Sequence, residues 1–147
     1  MPVAYFDSSA VLSFLLQQPE GADTSKLWID HESRVSSILL KAECLVNLRR
    51  NAARLTRGAA KDWLAERTAG FTQCMGEVTL VDVDESILSV IDREDGLSDC
   101  RTLDAIHAAT AIAIRERAGE DFIIVSLDDR MRQVARKLKI KVLPPDP

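Results

Sequence analysis

Cysteine is scarce in this chain of 147 residues, and so are the long apolar runs that mark membrane proteins. The three cysteines are an odd number, widely spaced and without a Cys-x-x-Cys pair, which argues against a disulfide framework or a zinc site. We interpret them as buried side chains in a reducing compartment and expect a cytoplasmic protein. The apolar run at residues 10–16 is too short to span a membrane, and no Lys or Arg precedes it. We therefore expect neither a signal peptide nor a membrane partner.

An excess of basic charge is also lacking, because 19 Lys and Arg residues face 23 Asp and Glu residues, for a net charge of −4. Indiscriminate binding to polyanions is therefore not indicated. Basic residues are nevertheless concentrated in residues 41–67, which hold seven basic and three acidic side chains. This segment is either a phosphate-binding surface or a solvated helix face.

Short apolar segments alternate with longer helical ones along the chain, and this alternation predicts an α/β domain with a mostly parallel sheet. Strands are predicted at residues 3–6, 34–38, 78–83, 122–126 and 141–143. Helices are predicted at residues 8–18, 39–55, 59–75, 85–94, 102–117 and 129–138, with boundaries at Pro19, Gly58, Gly76, Gly96 and Gly119. Because no linker or repeat interrupts the pattern, we expect a single domain, residues 1–147, with three α/β/α layers.

Four acidic residues stand among apolar neighbours at predicted strand ends or on predicted helices: Asp7, Glu43, Asp104 and Asp128. Asp7 and Asp128 each follow a strand, so they lie at the same edge of the sheet if the two strands are neighbours. Glu43 falls on a largely apolar stripe of its helix. Asp104 opens a helix that is apolar nearly all round, as expected of a buried helix.

Each acid also has an ordinary structural interpretation as a helix cap, a turn residue or a boundary residue. Their joint placement favours a shared site, because neighbouring carboxylates repel one another unless a cation lies between them. Four oxygen donors without a matching His/Cys set favour Mg²⁺ or Mn²⁺, and such ions promote the hydrolysis of phosphate esters. His107, three residues after Asp104, is interpreted as a core histidine.

Four segments carry a family resemblance, in this order along the chain: YFDSSAVLSFLLQQPEG, SSILLKAECLVNLRR, RTLDAIHAATAIAI and FIIVSLDDRMRQVARKLKIKVLPPD. They resemble the PIN-domain ribonucleases, and specifically the VapC-type toxins of toxin–antitoxin modules. The resemblance extends over essentially the whole chain. It implies a PIN-like fold with a five-stranded parallel sheet.

The resemblance also implies roles for individual residues. The acids of the family fall on the four acids named above, with Asp128 preferred over Asp129 because of the spacing to the apolar Met131. Ser9 and Ser126 match hydroxyl residues that support the site. Arginines of the basic segment are then candidate contacts for RNA phosphates: Arg49, Arg50, Arg54 and Arg57.

The function implied by the resemblance is that of a Mg²⁺- or Mn²⁺-dependent endoribonuclease that forms homodimers and is inhibited by a VapB-type antitoxin. The helical hairpin of residues 39–55 and 59–75 is our candidate for the antitoxin groove and dimer edge, although its apolar residues fill the core equally well: Leu45, Leu48, Trp63 and Leu64. Two alternatives stay open. One is a catalytically silent PIN-like module that binds RNA or antitoxin, and the other is a phosphotransfer enzyme with an aspartate after its first strand.

Overall fold

The structure is a computed structural model that describes residues 2–119 and 121–147. The predicted domain also includes Met1 and Glu120, which lie outside the described residues. Within the described ranges the strands are β1 (Val3–Phe6), β2 (Arg34–Ser37), β3 (Thr79–Val81), β4 (Phe122–Val125) and β5 (Lys141–Leu143). The α-helices are α1 (Ser8–Leu15), α2 (Gly21–Asp30), α3 (Leu39–Ala52), α4 (Arg57–Glu77), α5 (Glu85–Arg93), α6 (Thr102–Ala118) and α7 (Asp129–Lys137).

The five strands form one parallel sheet in the order β3-β2-β1-β4-β5. Side chains alternate across β1, so Ala4 and Phe6 join a core beneath α1 to α4, whereas Tyr5 joins a second core beneath α5 to α7. Strands buried on both faces are apolar throughout, as in β4, where all four residues are buried. The predicted three-layer α/β/α fold is confirmed, and the sheet is wholly parallel.

Three features of the helical layer differ from the prediction. The sequence pattern predicts no element over α2, which is mostly polar and starts after Glu20, not a preferred N-cap residue. It is a helix because Trp28 and Leu27 bury an apolar stripe against the first core. Its first residue must be glycine, since a Cβ at Gly21 would lie 2.5 Å from the Ser13 carbonyl oxygen of α1.

The boundaries predicted at Gly58 and Gly76 are also wrong, since both glycines lie inside α4, one residue from its ends. A Cβ at either position would meet no atom within 4 Å, so these glycines cost helix stability without disturbing packing. The first helix ends at Leu15 rather than at residue 18. It cannot continue, because Gln17 adopts a left-handed conformation with φ of 54°. Among the described residues, no helix is both long enough and apolar enough to cross a membrane.

The α3–α4 hairpin divides the residues that we considered for an interface. Leu48 is buried, and Trp63 and Leu64 pack against the first core. Leu45 and Val46, in contrast, are exposed on α3. The hairpin therefore both fills the core and leaves a short apolar surface.

Candidate active site

The four predicted acids line one cavity of about 80 Å³ beyond the carboxyl ends of the strands. Its lining residues are Asp7, Ser8, Ser9, Glu43, Asp104, His107, Asp128 and Met131. The convergence follows from the sheet order, because β1 and β4 are neighbours and pair Phe6 with Val125. Asp7 follows β1 directly, and Asp128 follows β4 after two residues. Glu43 and Asp104 reach the cavity from the first two turns of α3 and α6.

Asp7 is the most buried of the four acids, with 5% of its surface exposed. It is the N-cap residue of α1, and its Oδ1 accepts hydrogen bonds from the Ala10 amide (3.1 Å) and the Ser9 hydroxyl (2.5 Å). Its Oδ2 accepts a hydrogen bond from the Ser126 hydroxyl. Burial raises the pKa of Asp7 above its ordinary value, although these hydrogen bonds and His107 oppose the rise. A nearby cation would stabilise the ionised form.

Ser9 and Ser126 join the end of β1 to the connection between β4 and α7. The Ser9 Oγ accepts a hydrogen bond from the Leu127 amide (2.9 Å), and the Ser126 Oγ accepts one from the Asp128 amide (3.0 Å). Because an amide only donates, each hydroxyl proton is free to bond to Asp7. Both serines therefore orient the Asp7 carboxylate.

Asp128 is the N-cap residue of α7, and its Oδ1 accepts a hydrogen bond from the Met131 amide (3.0 Å). Its side chain lines the cavity, whereas Asp129 is exposed in the first turn of the helix. The structure thus distinguishes the two adjacent aspartates by position.

Glu43 has a hydrogen bond at each of its carboxylate oxygens. Oε1 lies 2.5 Å from Nε2 of His107, and Oε2 accepts a hydrogen bond from the Ser8 hydroxyl (3.0 Å). Burial raises the pKa of Glu43, but the hydrogen bond and electrostatic interaction with His107, together with the Ser8 hydrogen bond, outweigh burial and leave the pKa below its ordinary value. His107 is buried as predicted, yet it contacts an acid of the site as well as the core.

Asp104 lies opposite a basic residue that the sequence analysis did not single out. Its Oδ2 is 3.6 Å from Nη1 of Arg130, in the first turn of α7. Both residues line a larger cleft of about 480 Å³, called the acidic cleft below, which opens from the cavity. Arg101 also lines it. Arg101 lies three residues before Asp104, and Arg130 lies two residues after Asp128. This closeness to the acidic motifs is the signal in the sequence that could have identified the two arginines.

The arginines of the predicted RNA-binding segment do not share one position. Arg50 lines a third cleft of about 340 Å³ beside Glu43, two helical turns further along α3. Arg49 lies roughly 120° around the helix from Glu43 at 3.6 residues per turn. Arg54 follows the end of α3 and Arg57 opens α4, so both lie at the tip of the hairpin.

The carboxylates are not pre-assembled around one point. In residues 2–119 and 121–147, no group of three or more His, Cys, Asp or Glu side chains forms a ready-made metal site. The donor set nevertheless fits a hard divalent cation, because four carboxylates line one small cavity and such ions prefer oxygen ligands. The buried Asp7 carboxylate, disfavoured as an anion by its surroundings, is the feature that a cation would relieve.

The fold and site define a parallel α/β protein with an acidic cavity at the carboxyl edge of its sheet. Residues 4–137 match the model of the PIN domain family. The chain is also 34% identical, over 148 aligned residues that cover 99% of each protein, to Ribonuclease VapC46 of Mycobacterium tuberculosis (strain ATCC 25618 / H37Rv). The chain therefore belongs to the PIN-domain family, and the resemblance to VapC-type ribonucleases found in its sequence is confirmed.

Proposed function

We propose that this chain is an endoribonuclease toxin of a toxin–antitoxin module and hydrolyses RNA phosphodiester bonds with Mg²⁺ or Mn²⁺. The observation that carries the proposal is the convergence of Asp7, Glu43, Asp104 and Asp128 on one cavity. The similarity to a protein named as a ribonuclease supports the choice of RNA. Such an activity belongs in the cytoplasm, where RNA and ribosomes are found.

In this proposal Asp7, Asp104 and Asp128 hold the ion, and Glu43 completes the site or orients the attacking water. An ion held there would supply positive charge beside the phosphate and would lower the pKa of a bound water. Ser9 and Ser126 keep the Asp7 carboxylate in place through their hydrogen bonds. In-line attack on the phosphate leaves a 3′-hydroxyl and a 5′-phosphate.

The basic residues around the clefts would bind the RNA backbone. Arg101 and Arg130 line the acidic cleft, and Arg50 lines the adjacent one, so all three are placed to contact phosphates close to the cut. Arg49, Arg54 and Arg57 would contact phosphates further away. Since phosphate contacts carry no sequence information, selectivity would come from RNA shape or from unpaired bases.

The third cleft is a suitable surface for a VapB-type antitoxin. Leu39, Val46 and Leu103 supply apolar area, and the cleft shares Glu43 and Leu103 with the acidic cleft. An antitoxin segment could place an apolar side chain in the third cleft and a following basic side chain in the acidic cleft, where its charge would offset that of the carboxylates. A homodimer is also part of the proposal, as the family resemblance implies.

The direct test is cleavage of a mixed RNA substrate by purified, antitoxin-free protein in Mg²⁺, in Mn²⁺ and in EDTA. Cleavage is expected with either ion and not in EDTA. Asp128→Asn should lower the rate by at least about 100-fold, since losing a direct ligand should cost more than losing a supporting contact. Asp129→Asn is the matched control, because it makes the same chemical change at the adjacent exposed position. Equal rates for the two variants would refute the assignment.

The second candidate is a catalytically silent PIN-like module that binds RNA or antitoxin. That candidate requires RNA binding without cleavage in both ions. Determination of the RNA ends would separate the two candidates, because hydrolysis by the proposed route leaves 5′-phosphates.

A further inference from the structure

A chain of hydrogen bonds passes through His107 and joins three elements of the fold. The Tyr5 hydroxyl of β1 lies 2.6 Å from Nδ1 of His107 on α6. On the other side of the ring, Nε2 lies 2.5 Å from Oε1 of Glu43 on α3. The Glu43 Oε2 accepts from Ser8, so the carboxylate is held at both oxygens. Tyr5 is fully buried and His107 is 6% exposed, which shields the contact between them from water.

The partners determine which nitrogen of His107 carries the proton. A carboxylate only accepts hydrogen bonds, so Nε2 must donate to Glu43. In the neutral imidazole Nδ1 is then an acceptor, and it receives the proton of the Tyr5 hydroxyl. Glu43 therefore selects the tautomer, and the Tyr5 hydroxyl, which can donate or accept, bonds to the remaining ring nitrogen.

We propose that His107 is a positioning residue that holds Glu43 in its orientation at the cavity, and that the Tyr5 hydroxyl holds the His107 ring in place for this task by bonding to its other nitrogen. This inference rests on the proposed function. It identifies Nε2 of His107 as the nitrogen that carries the proton and orients Glu43, one of the acids of the proposed active site. A glutamate side chain has several rotatable bonds and loses its fixed direction unless its oxygens are held. A histidine that merely filled the core would need no donor directed at a functional carboxylate.

The tautomer is directly measurable, because the chain contains two histidines. Long-range ¹H–¹⁵N NMR spectra of protein labelled at histidine should show His107 protonated at Nε2. His31 is an internal reference with the opposite expectation, since its Nδ1 lies 2.7 Å from the Leu27 carbonyl oxygen and must donate. A His31→Gln variant assigns the two rings. Protonation of His107 at Nδ1 alone would overturn the proposal.

Three variants separate positioning from packing. His107→Leu removes the donor, and we expect Mn²⁺ affinity, measured by electron paramagnetic resonance, and kcat to fall by about 10- to 100-fold with little change in KM. His107→Gln should recover much of both, because its amide can donate to Glu43. Tyr5→Phe should preserve packing and keep Nε2 of His107 protonated, because Glu43 still accepts from it, while the Nδ1 resonance shifts as its hydrogen bond is lost.

Equal losses in His107→Leu and His107→Gln, or none in either, would show that the ring only packs. If a variant does not fold, the NMR spectrum of the unchanged protein still decides whether the tautomer exists. Failure of the proposed function has a different signature. In that case the unchanged protein would neither bind Mn²⁺ nor cleave RNA, whatever the His107 tautomer.

Discussion

The Ser126 hydroxyl donates a hydrogen bond to Oδ2 of Asp7 across 119 positions of sequence. It also accepts from the Asp128 amide, so one side chain connects two acids of the cavity. The contact exists because β1 and β4 are adjacent and end at the same level. It links the order of the strands directly to the geometry of the site.

Replacement of Ser126 should therefore disturb the site more than its size suggests. Ser126→Ala leaves a buried carboxylate oxygen without this donor, and we expect a loss of about 1–3 kcal/mol in the free energy of unfolding. RNA cleavage should fall by about 10-fold or more, as for other contacts that orient ligands. Ser126→Thr keeps the hydroxyl and should retain most activity. Chemical denaturation and initial cleavage rates provide the two measurements.

An exposed serine gives the control for that comparison. Ser98→Ala removes a hydroxyl that bonds to the Asp95 carbonyl oxygen at the surface, and it should change neither stability nor cleavage appreciably. If Ser126→Ala behaves like Ser98→Ala, the hydroxyl does not orient Asp7.

Replacement of Asp7 should stabilise the protein while it abolishes activity. The folded-state pKa of Asp7 is raised by burial, so its contribution to stability is present at low pH and lost as pH rises through that pKa. Asp7→Asn cannot ionise, so it avoids this loss of stability at neutral pH. In metal-free buffer at pH 7 we expect its thermal midpoint to exceed that of the unchanged protein by a few degrees, with a smaller difference at lower pH.

Added Mn²⁺ supplies the check on this interpretation. A cation that binds the folded state should raise the midpoint of the unchanged protein more than that of Asp7→Asn. A lower midpoint for Asp7→Asn at every pH would mean that its hydrogen bonds outweigh the cost of burying the charge.

Glu43 should show the opposite dependence on pH. Burial opposes the ionisation of Glu43, but His107 and Ser8 leave its pKa lowered. Its contribution to the free energy of unfolding is therefore present above the unfolded-state pKa and is lost as pH falls through the folded-state pKa. Glu43→Gln should therefore lower the midpoint at pH 7 and have a decreasing effect toward acid. Parallel pH series for Asp7→Asn and Glu43→Gln test the two signs, and slopes of equal sign would contradict the assignment.

The arginines at the acidic cleft should dominate RNA affinity. Arg101→Gln and Arg130→Gln are each expected to reduce by about one the slope of log affinity against log salt concentration. Arg49→Gln is the comparison, because Arg49 lies on another side of α3 and should have a smaller effect. Binding is measured in EDTA so that cleavage does not interfere. An Arg49 effect as large as that of Arg130 would shift the RNA path onto the hairpin.

The apolar surface beside the acidic cleft should control inhibition by the antitoxin. Val46 and Leu103 are each 51% exposed, and we expect Val46→Ala with Leu103→Ala to weaken antitoxin binding by 10-fold or more while RNA cleavage persists (about 0.8 kcal/mol for each buried methylene lost). Ile29→Ala is the control, since this exposed side chain lies on α2. Titration of cleavage with antitoxin gives the measurement, and unchanged inhibition would exclude this surface.

Local patterns of the sequence determined much of the fold. The alternation of apolar strands with helices predicted the parallel α/β class, because residue periodicity reflects which faces are buried. Periodicity failed at α2, where few apolar residues carry the contact with the core. It also misplaced the ends of α4, since an exposed glycine near a helix end does not by itself stop the helix.

The sequence by itself determined which acids were candidates, because an acidic residue among apolar neighbours is unusual at any point of a chain. Only the tertiary structure decided how they are held. The order of the strands brought Ser126 to Asp7, and the approach of α3 to α6 brought His107 to Glu43 over 64 positions. Such contacts depend on the packing of elements far apart in sequence, and the local periodicity that predicts each element contains no information about its neighbours.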